Sequence, residues 1–293
     1  MVKKKSDKRA LFLLLAIAVG VLIITSVISS SLSNVSTSSV SNVKVINVYG
    51  EINSQRVSTG IFSIGRSSSD LVKEINSANE DRGIDAVMFR IDSPGGTPVA
   101  SHEIVRAIKS LDKPSISVIR ELGASGAYWV ASGTDFIVSD ELSLTGSVGV
   151  LGGFFDIHGL LERYNISYER FTGGELKDLG SPFREITEEE RIILQSKIDL
   201  MHDFFLDDVK SNRNLSEENF SQVSTGAYFI GLEAIDLGLV DMLGSEEHAI
   251  LWLEETLNSS VRLIERQERG GLFSGMAGFN LNSLNSGFRV VLR

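Results

Sequence analysis

The chain has 293 residues, of which 42% are hydrophobic, and a formal net charge of −10. This length accommodates one large α/β domain or two small ones. The acidic balance argues against nucleic acid as a partner, and the absence of cysteine excludes a thiol nucleophile, thiolate metal ligands and disulfides.

The first 42 residues predict a membrane anchor followed by a tether. Residues 1–9 carry a net charge of +4, which leaves −14 for the rest of the chain. Residues 10–28 are almost entirely apolar and long enough to cross a hydrocarbon core of about 30 Å. The basic residues should keep the N-terminus cytoplasmic and place the remaining chain across the membrane. The alternatives are a cleaved signal peptide, although no small-residue cleavage site follows, and a buried core helix. The Ser-rich residues 29–42 read as a flexible tether.

After the tether, short apolar strands alternate with helical patterns. Strands are predicted at residues 43–48, 86–91, 115–119, 136–138, 148–151, 168–171, 227–230 and 240–242. Helices are predicted at residues 71–78, 98–111, 126–132, 154–164, 232–237 and 246–257, with a long helix that begins at a Thr187–Glu190 capping box. This alternation predicts parallel βαβ units in one α/β domain, residues 43–263, followed by a flexible C-terminal tail, residues 264–293.

One serine is the strongest candidate nucleophile. Residues 123–131 (GASGAYWVA) place Ser125 between a predicted strand and a predicted helix, where small neighbours permit a sharp turn that exposes the hydroxyl. A second glycine turn, residues 92–96 (DSPGG), follows the strand upstream. By themselves, these glycines are more typical of an ordinary turn after a strand.

A serine nucleophile also needs a base. The four histidines fall on or at the start of predicted helices, in settings typical of surface or core residues: His102, His158, His202 and His248. A lysine can replace histidine where burial lowers its pKa. Lys177, in residues 175–182 (ELKDLGSP), is the candidate, although a single loop lysine is more often a surface residue.

Together these motifs resemble the signal peptide peptidase SppA family. The resemblance spans residues 46–244, and its motifs are DSPGG at 92–96, ASGAYW at 124–129, LTGSVGV at 144–150, LKD at 176–178 with SP at 181–182 and Arg184, and GLEA at 231–234 with LVD at 239–241. It implies a membrane-anchored Ser–Lys protease with a Clp protease/crotonase-like fold of repeated ββα/βαβ units, preceded by one N-terminal transmembrane helix.

The resemblance also implies roles for particular residues. Ser125 matches the family nucleophile, Lys177 its general base, and Ser147 the serine whose hydroxyl orients that lysine. The oxyanion would be bound by backbone amides of Gly95, Gly96 and Gly126. Because Thr97 stands where the family often has a third glycine, the resemblance leaves open which of the first two amides takes part.

The implied chemistry is acyl transfer through an acyl-enzyme, without a metal or cofactor. The implied substrates are remnants of cleaved signal peptides and other short apolar peptides. The implied assembly is a homo-oligomeric ring or dome in which lysine and serine belong to one subunit or to two neighbours. The protein is therefore expected in the cell membrane, with its catalytic domain outside the cytoplasm.

Three other interpretations remain open. A related Ser–Lys membrane protease acting on a stomatin-like partner would share the serine motif. A crotonase-type enzyme would use the same glycine amides for a thioester enolate, but nothing here resembles a coenzyme A site. An inactive scaffold is less consistent with a chain that keeps Ser125, Lys177 and Ser147.

Overall fold

The computed structural model describes residue 20 and residues 40–55, 57–59, 62–64, 67–266 and 288–291. The chain divides into two units, residues 1–40 and 41–293. The predicted anchor at residues 10–28 lies outside the described residues except for Gly20, which is helical. Within the described part of the chain, no helix combines the length and apolar character needed to cross a membrane.

Most predicted elements of the second unit are present. The strands are β1 (Val40–Tyr49), β2 (Val57–Thr59), β3 (Phe62–Ile64), β4 (Ala86–Ser93), β5 (Ser115–Ala124), β6 (Phe136–Ser139), β7 (Leu144–Gly146), β8 (Tyr228–Ile230), β9 (Met242–Leu243), β10 (Ser260–Arg266) and β11 (Phe288–Val291). The helices are α1 (Ser68–Glu80), α2 (Pro98–Lys109), α3 (Gly126–Ser132), α4 (His158–Arg163), α5 (Glu188–Arg213), α6 (Glu217–Val223), α7 (Gly231–Asp236) and α8 (Glu246–Leu257).

The principal sheet is built on parallel strands. Its strand order is β11-β10-β1-β4-β5-β6-β9, with β7 paired to the end of β5 and β8 paired antiparallel to β7. Neighbouring strands from β1 to β6 are parallel, so that Ile46, Phe89, Ser117 and Ile137 lie in one row across the sheet. Helices α1, α2 and α3 connect these strands in sequence. The prediction of a mixed α/β fold with βαβ units is confirmed.

Alternating side chains give each central strand two buried faces. In β1 and β4, one set packs with helices α1, α2, α3 and α5 (Ile46, Val48, Val87, Phe89, Ile91), and the intervening set packs with α8 (Val43, Val45, Ala86, Met88). This follows from the two-residue side-chain period of a strand. Because both faces are covered, the centre of the sheet is rigid, and its loops are held at defined positions.

Three local predictions are wrong. Residues 148–151 and 168–171 do not form strands, and the helix predicted at 154–164 is confined to α4. Val148 is buried in the core, but Leu151 and Phe171 are 96% and 90% exposed, and neither segment pairs as a strand of the described sheet. The sequence analysis also missed five strands and one helix: β2, β3, β7, β10, β11 and α6. Strands β2 and β3 pair antiparallel, as do β10 and β11.

We call residues 151–187 the arm. Its helix, α4, has no buried residue. The arm exposes ten large hydrophobic or aromatic side chains: Leu151, Phe154, Phe155, Leu160, Tyr164, Ile166, Tyr168, Phe171, Leu176 and Phe183. An apolar surface this extensive is unusual for a monomeric soluble domain and is typical of an interaction surface.

Candidate active site

The carboxyl ends of β1, β4 and β5 lie side by side at one edge of the sheet. Glu51 and Ile52 follow β1, residues 94–97 follow β4, and Ser125 follows β5. An isolated parallel bridge between Ile52 and Gly96 extends the β1–β4 pairing beyond the strands themselves. Loops at this edge of a parallel sheet commonly form binding and catalytic sites.

Ser125 occupies a strained turn between β5 and α3. Its φ is +53° and its ψ is −126°. Its amide donates to the Gly146 carbonyl at 2.8 Å, and its carbonyl accepts from the Trp129 amide at 2.9 Å. Such a conformation costs about 1–3 kcal/mol for a residue other than glycine. The side chain is half-buried, and its hydroxyl has no hydrogen-bond partner among the described residues. A serine on a strained strand-to-helix turn is the geometry of a nucleophile elbow.

Two backbone amides beside Ser125 have no acceptor in the described part of the chain. Gly96 is held by its neighbours, since Ile52 donates to Gly95 (2.8 Å) and Thr97 donates to Ile52 (2.9 Å), but its own N–H is unpaired. The Gly126 N–H, at the first position of α3, is also unpaired. A Cβ added to Gly126 would lie 3.3 Å from the Gly96 nitrogen, so the two amides are close together.

Gly95 differs from these two glycines. Its N–H donates to Ser93 Oγ at 3.1 Å. Its φ is +97°, and a Cβ here would lie 2.6 Å from the Gly126 nitrogen. Position 95 therefore requires glycine both for its backbone conformation and for the close approach of the Ser125 loop.

Ser147 lies next to the carbonyl that holds the Ser125 loop. It follows β7, has a φ of +50°, and donates its amide to Ala227 at 2.8 Å. Its hydroxyl is unpaired among the residues that the structure describes. The next residue, Val148, is attached to α5 by its carbonyl, which lies 3.0 Å from His202 Nε2.

Lys177 lies on the arm, in an exposed turn in which its amide donates to Gly174 at 3.3 Å. It is not one of the residues that line the depression around Ser125. Within the described ranges, no hydrogen bond or ion pair involves its ammonium group. The structure thus brings Ser125, Gly95, Gly96 and Gly126 together but not Lys177.

A network of ion pairs holds the turn that carries Lys177. Arg184 donates to Asp178 from Nε (2.8 Å to Oδ2) and to Glu190 from both terminal nitrogens. Arg170 is a second cationic partner of Asp178, with Nε 3.0 Å from Oδ2. Because Glu190 belongs to α5, this network ties the lysine turn to the long helix.

These contacts lower the pKa of both carboxyl groups. The hydrogen bond from Arg184 is the main cause for Asp178. For Glu190, the hydrogen bonds from Arg184 and from the Thr187 amide lower the pKa to about 2, from an ordinary value of 4.5. A carboxyl group whose pKa is lowered in the folded state stabilises that state at pH values above its ordinary pKa. This contribution is lost as the pH falls towards the lowered pKa. For Glu190 the loss falls between about pH 4.5 and pH 2.

We therefore expect the arm to loosen in acid before the rest of the domain. Pepsin, which is active in this pH range, should cleave residues 174–190 at pH values where the fluorescence of Trp129 and Trp252, both outside the arm, is unchanged. Glu190→Gln should expose the same segment to a neutral protease at pH 7. Glu188→Gln, at an exposed acid in the same turn, serves as the control. Equal protection of wild type and Glu190→Gln at every pH would contradict this role.

The depression around Ser125 is a groove of about 330 Å³. It is lined by Glu51, Pro94, Gly95, Gly96, Pro98, Ser101, Ser125, Gly126, Trp129, Gly149, Val150, Leu151 and Phe205. Trp129 and Phe205 stack with ring centroids 4.5 Å apart, and Trp129 Nε1 donates to Asp208 at 2.6 Å. This packing makes one wall of the groove apolar and rigid.

His102 supports this wall rather than the serine. Its ring stacks on Trp129 at 5.3 Å, and burial, assisted by the nearby Arg106, lowers its pKa. A larger depression of about 660 Å³ lies near Lys113 and Trp252, at the opposite end of β5, and contains none of the predicted site residues. Among the described residues, no cluster of His, Asp or Glu is arranged to hold a metal ion.

Sequence reasoning missed several groove residues. Glu51 follows β1 and Phe205 lies on α5, both far from Ser125 in the sequence, and no local motif marks them. Ser101 is fully buried beside Gly126, and its hydroxyl has no hydrogen-bond partner within the described structure. Its position four residues after Thr97 could have indicated that it faces the glycine turn, because α2 begins there.

A strained serine at the end of a parallel strand, beside two amides that have no acceptor among the described residues, is the arrangement expected of a serine hydrolase. Comparison with known proteins gives the family. The model of Peptidase family S49 matches residues 107–260, more than half of the chain, and the chain belongs to this family.

Several relatives of the chain are named as proteases or peptidases. A candidate protease of Methanocaldococcus jannaschii is 34% identical over 204 residues, 68% of this chain and 66% of that protein. A candidate protease of Synechocystis sp. is 39% identical over 176 residues, 59% and 63% of the two chains. A candidate signal peptide peptidase SppA of Enterococcus faecium is 29% identical over 214 residues, 71% and 62%. The resemblance to the SppA family is confirmed. The matched region spans slightly less than two thirds of each of these relatives.

Proposed function

We propose that the protein is a serine endopeptidase in which Ser125 is the nucleophile and Lys177 the general base. Membership of a peptidase family supports the reaction class. The observation that carries the proposal is the Ser125 turn. Among the described residues, its hydroxyl has no hydrogen-bond partner and the two amides beside it have no acceptor.

The reaction has two stages. Lys177, as the neutral amine, takes the Ser125 proton while Oγ attacks the peptide carbonyl, and the carbonyl oxygen becomes an oxyanion. The C–N bond then breaks, the leaving amine takes the proton from Lys177, and an acyl-enzyme remains. Water, deprotonated by the same lysine, attacks the ester carbonyl. The C–Oγ bond then breaks, Lys177 returns the proton to Ser125 Oγ, and the carboxylic acid product is released.

We assign the oxyanion contacts to the amides of Gly96 and Gly126. Both are unpaired among the described residues, whereas the Gly95 amide already donates to Ser93. Gly95 then acts through its conformation, which allows the close approach of the two loops. Each such amide typically stabilises the transition state by about 3–4 kcal/mol.

Lys177 requires a second subunit in this proposal. A lysine surrounded by water remains an ammonium ion near neutral pH, so a lysine base must be desolvated. Lys177 is exposed within its own chain, on an arm rich in exposed apolar side chains. Packing of the arm on a neighbouring copy would bury both Lys177 and the apolar side chains of the arm. We therefore propose a homo-oligomeric ring or dome in which Lys177 of one subunit serves Ser125 of the next and is oriented by the hydroxyl of Ser147.

The sequence supports a location for this assembly. The basic residues 1–9 and the apolar residues 10–28 favour a single membrane anchor with a cytoplasmic N-terminus. The catalytic domain, with a Clp protease/crotonase-like fold, would then face away from the cytoplasm. The apolar wall formed by Trp129 and Phe205 suits remnants of signal peptides and other short apolar peptides.

Active-site labelling tests the proposal. The full chain, purified in detergent, is treated with a fluorophosphonate and digested, and the adduct is located by mass spectrometry. The adduct should be on Ser125, and labelling should abolish hydrolysis of a fluorogenic apolar peptide, with or without a metal chelator. An active preparation with its adduct on another residue would overturn the assignment.

A further inference from the structure

The residues that line the groove follow strands β1, β4 and β5, in the order in which these strands lie in the sheet. Glu51 follows β1, Pro94 and Gly96 follow β4, and Ser125 follows β5. Residues 149–151, which follow β7, line the groove beyond Ser125, because β7 pairs with β5 on the side away from β4. Ser125 therefore lies between a β1 end and a β7 end of the groove.

The two ends differ in chemistry. At the β7 end the lining is apolar, from Val150 and Leu151. At the β1 end lies Glu51, which carries the single ionisable side chain among the lining residues that the structure describes. Glu51 is exposed, and no hydrogen bond or ion pair within the described ranges occupies its carboxylate. A free carboxylate at one end of a peptide groove attracts a cation there.

We infer that Glu51 determines specificity, by selecting peptides that place Lys or Arg on the β1 side of the scissile bond. The apolar residues of the same peptide occupy the β7 side. This inference rests on the proposed peptidase function and narrows its substrate class to peptides in which a basic residue borders an apolar run. A signal-peptide remnant has this pattern, since its basic segment directly precedes its apolar segment.

A positional scan tests the inference. Apolar fluorogenic peptides carry Lys, Gln or Glu in turn at each position around the cleaved bond, and the full chain in detergent is assayed. On one side of the cleaved bond, at one position or two adjacent positions, kcat/KM should be about 2- to 5-fold higher for the Lys peptide than for the Gln peptide. This is the range expected for a partly exposed ion pair. The Glu peptide should have a lower kcat/KM than the Gln peptide. The preference should weaken as salt is raised.

Charge variants separate Glu51 from the general acidity of the protein. Glu51→Gln should bring the Lys to Gln ratio to about 1 at that position, and Glu51→Lys should invert it in favour of Glu. Glu121→Gln removes an exposed acid of β5 that does not line the groove, and should keep the wild-type ratio. The same Lys preference in Glu51→Gln, or no position that favours Lys in the wild type, would overturn the inference.

A binding measurement distinguishes failure of the inference about Glu51 from failure of the proposed peptidase reaction. Labelled Lys and Gln peptides are titrated by fluorescence anisotropy onto Ser125→Ala and onto Ser125→Ala with Glu51→Gln. The Lys peptide should bind more tightly only where Glu51 is present, whether or not Ser125 is the nucleophile. Equal affinities in both proteins would contradict the role of Glu51, while cleavage by Ser125→Ala at the wild-type rate would contradict the nucleophile instead.

Discussion

Ser125→Ala should lower kcat/KM for a fluorogenic apolar peptide by at least about 10³-fold. Alanine leaves no atom to form the acyl-enzyme, and the amides of Gly96 and Gly126 then have no tetrahedral intermediate to stabilise. The change removes one oxygen from a half-buried side chain that has no hydrogen-bond partner in the described structure, so the fold should be preserved. Steady-state kinetics and circular dichroism together measure both expectations.

Ser221→Ala is a matched control for this variant. Ser221 lies exposed on α6, with its hydroxyl bonded only to the local Glu218 carbonyl among the described residues, and its replacement should leave kcat/KM unchanged. Retention of wild-type turnover by Ser125→Ala would show that another residue is the nucleophile, and would remove the basis for the proposed mechanism.

Mixing two inactive variants should restore activity if Lys177 serves a neighbouring subunit. Ser125→Ala and Lys177→Ala should each be inactive by itself. In a randomly mixed ring, a complete site forms where a subunit with intact Ser125 meets a neighbour with intact Lys177, so about a quarter of the sites should recover. The measurement is the rate of peptide hydrolysis after the two proteins are dissociated, mixed and reassembled.

Two controls define the outcome. Each variant carried separately through the same procedure should remain inactive, and a mixture of Ser125→Ala with the double variant lacking both residues should stay inactive as well. If the mixture of single variants also shows no activity while wild type recovers, Lys177 acts within its own subunit. In that case the arm would have to bring Lys177 to the groove of its own chain.

Backbone strain in the described structure concentrates at the residues that carry the proposed chemistry. Five residues other than glycine have a positive φ, and three of them are asparagines, which tolerate this conformation. The other two are Ser125 and Ser147. Strain of this kind persists where the surrounding structure imposes it. Here the constraint comes from the pairing of β5 with β7 and from the hydrogen bond that the Ser125 amide donates to the Gly146 carbonyl.

Much of the fold was accessible from local sequence patterns. The helix after Ser125 and the helix at 246–257 were predicted at their observed bounds, and the Thr187–Glu190 capping box was identified correctly. These features depend on neighbouring residues and on side-chain periodicity, which a sequence displays directly. The strands predicted in residues 148–151 and 168–171 failed because an apolar pattern does not reveal whether a partner strand is available.

The sequence was enough to predict the central βαβ units, the family, and the residues proposed for the chemistry. The tertiary structure decided which amides are left unpaired, which distant segments line the groove, and that Lys177 lies on an exposed arm outside it. The physical reason is that hydrogen-bond pairing and burial depend on contacts between residues far apart in the chain. Glu51 follows β1, Ser125 follows β5 and Phe205 lies on α5, and only the register and packing of these three elements bring the residues to one groove.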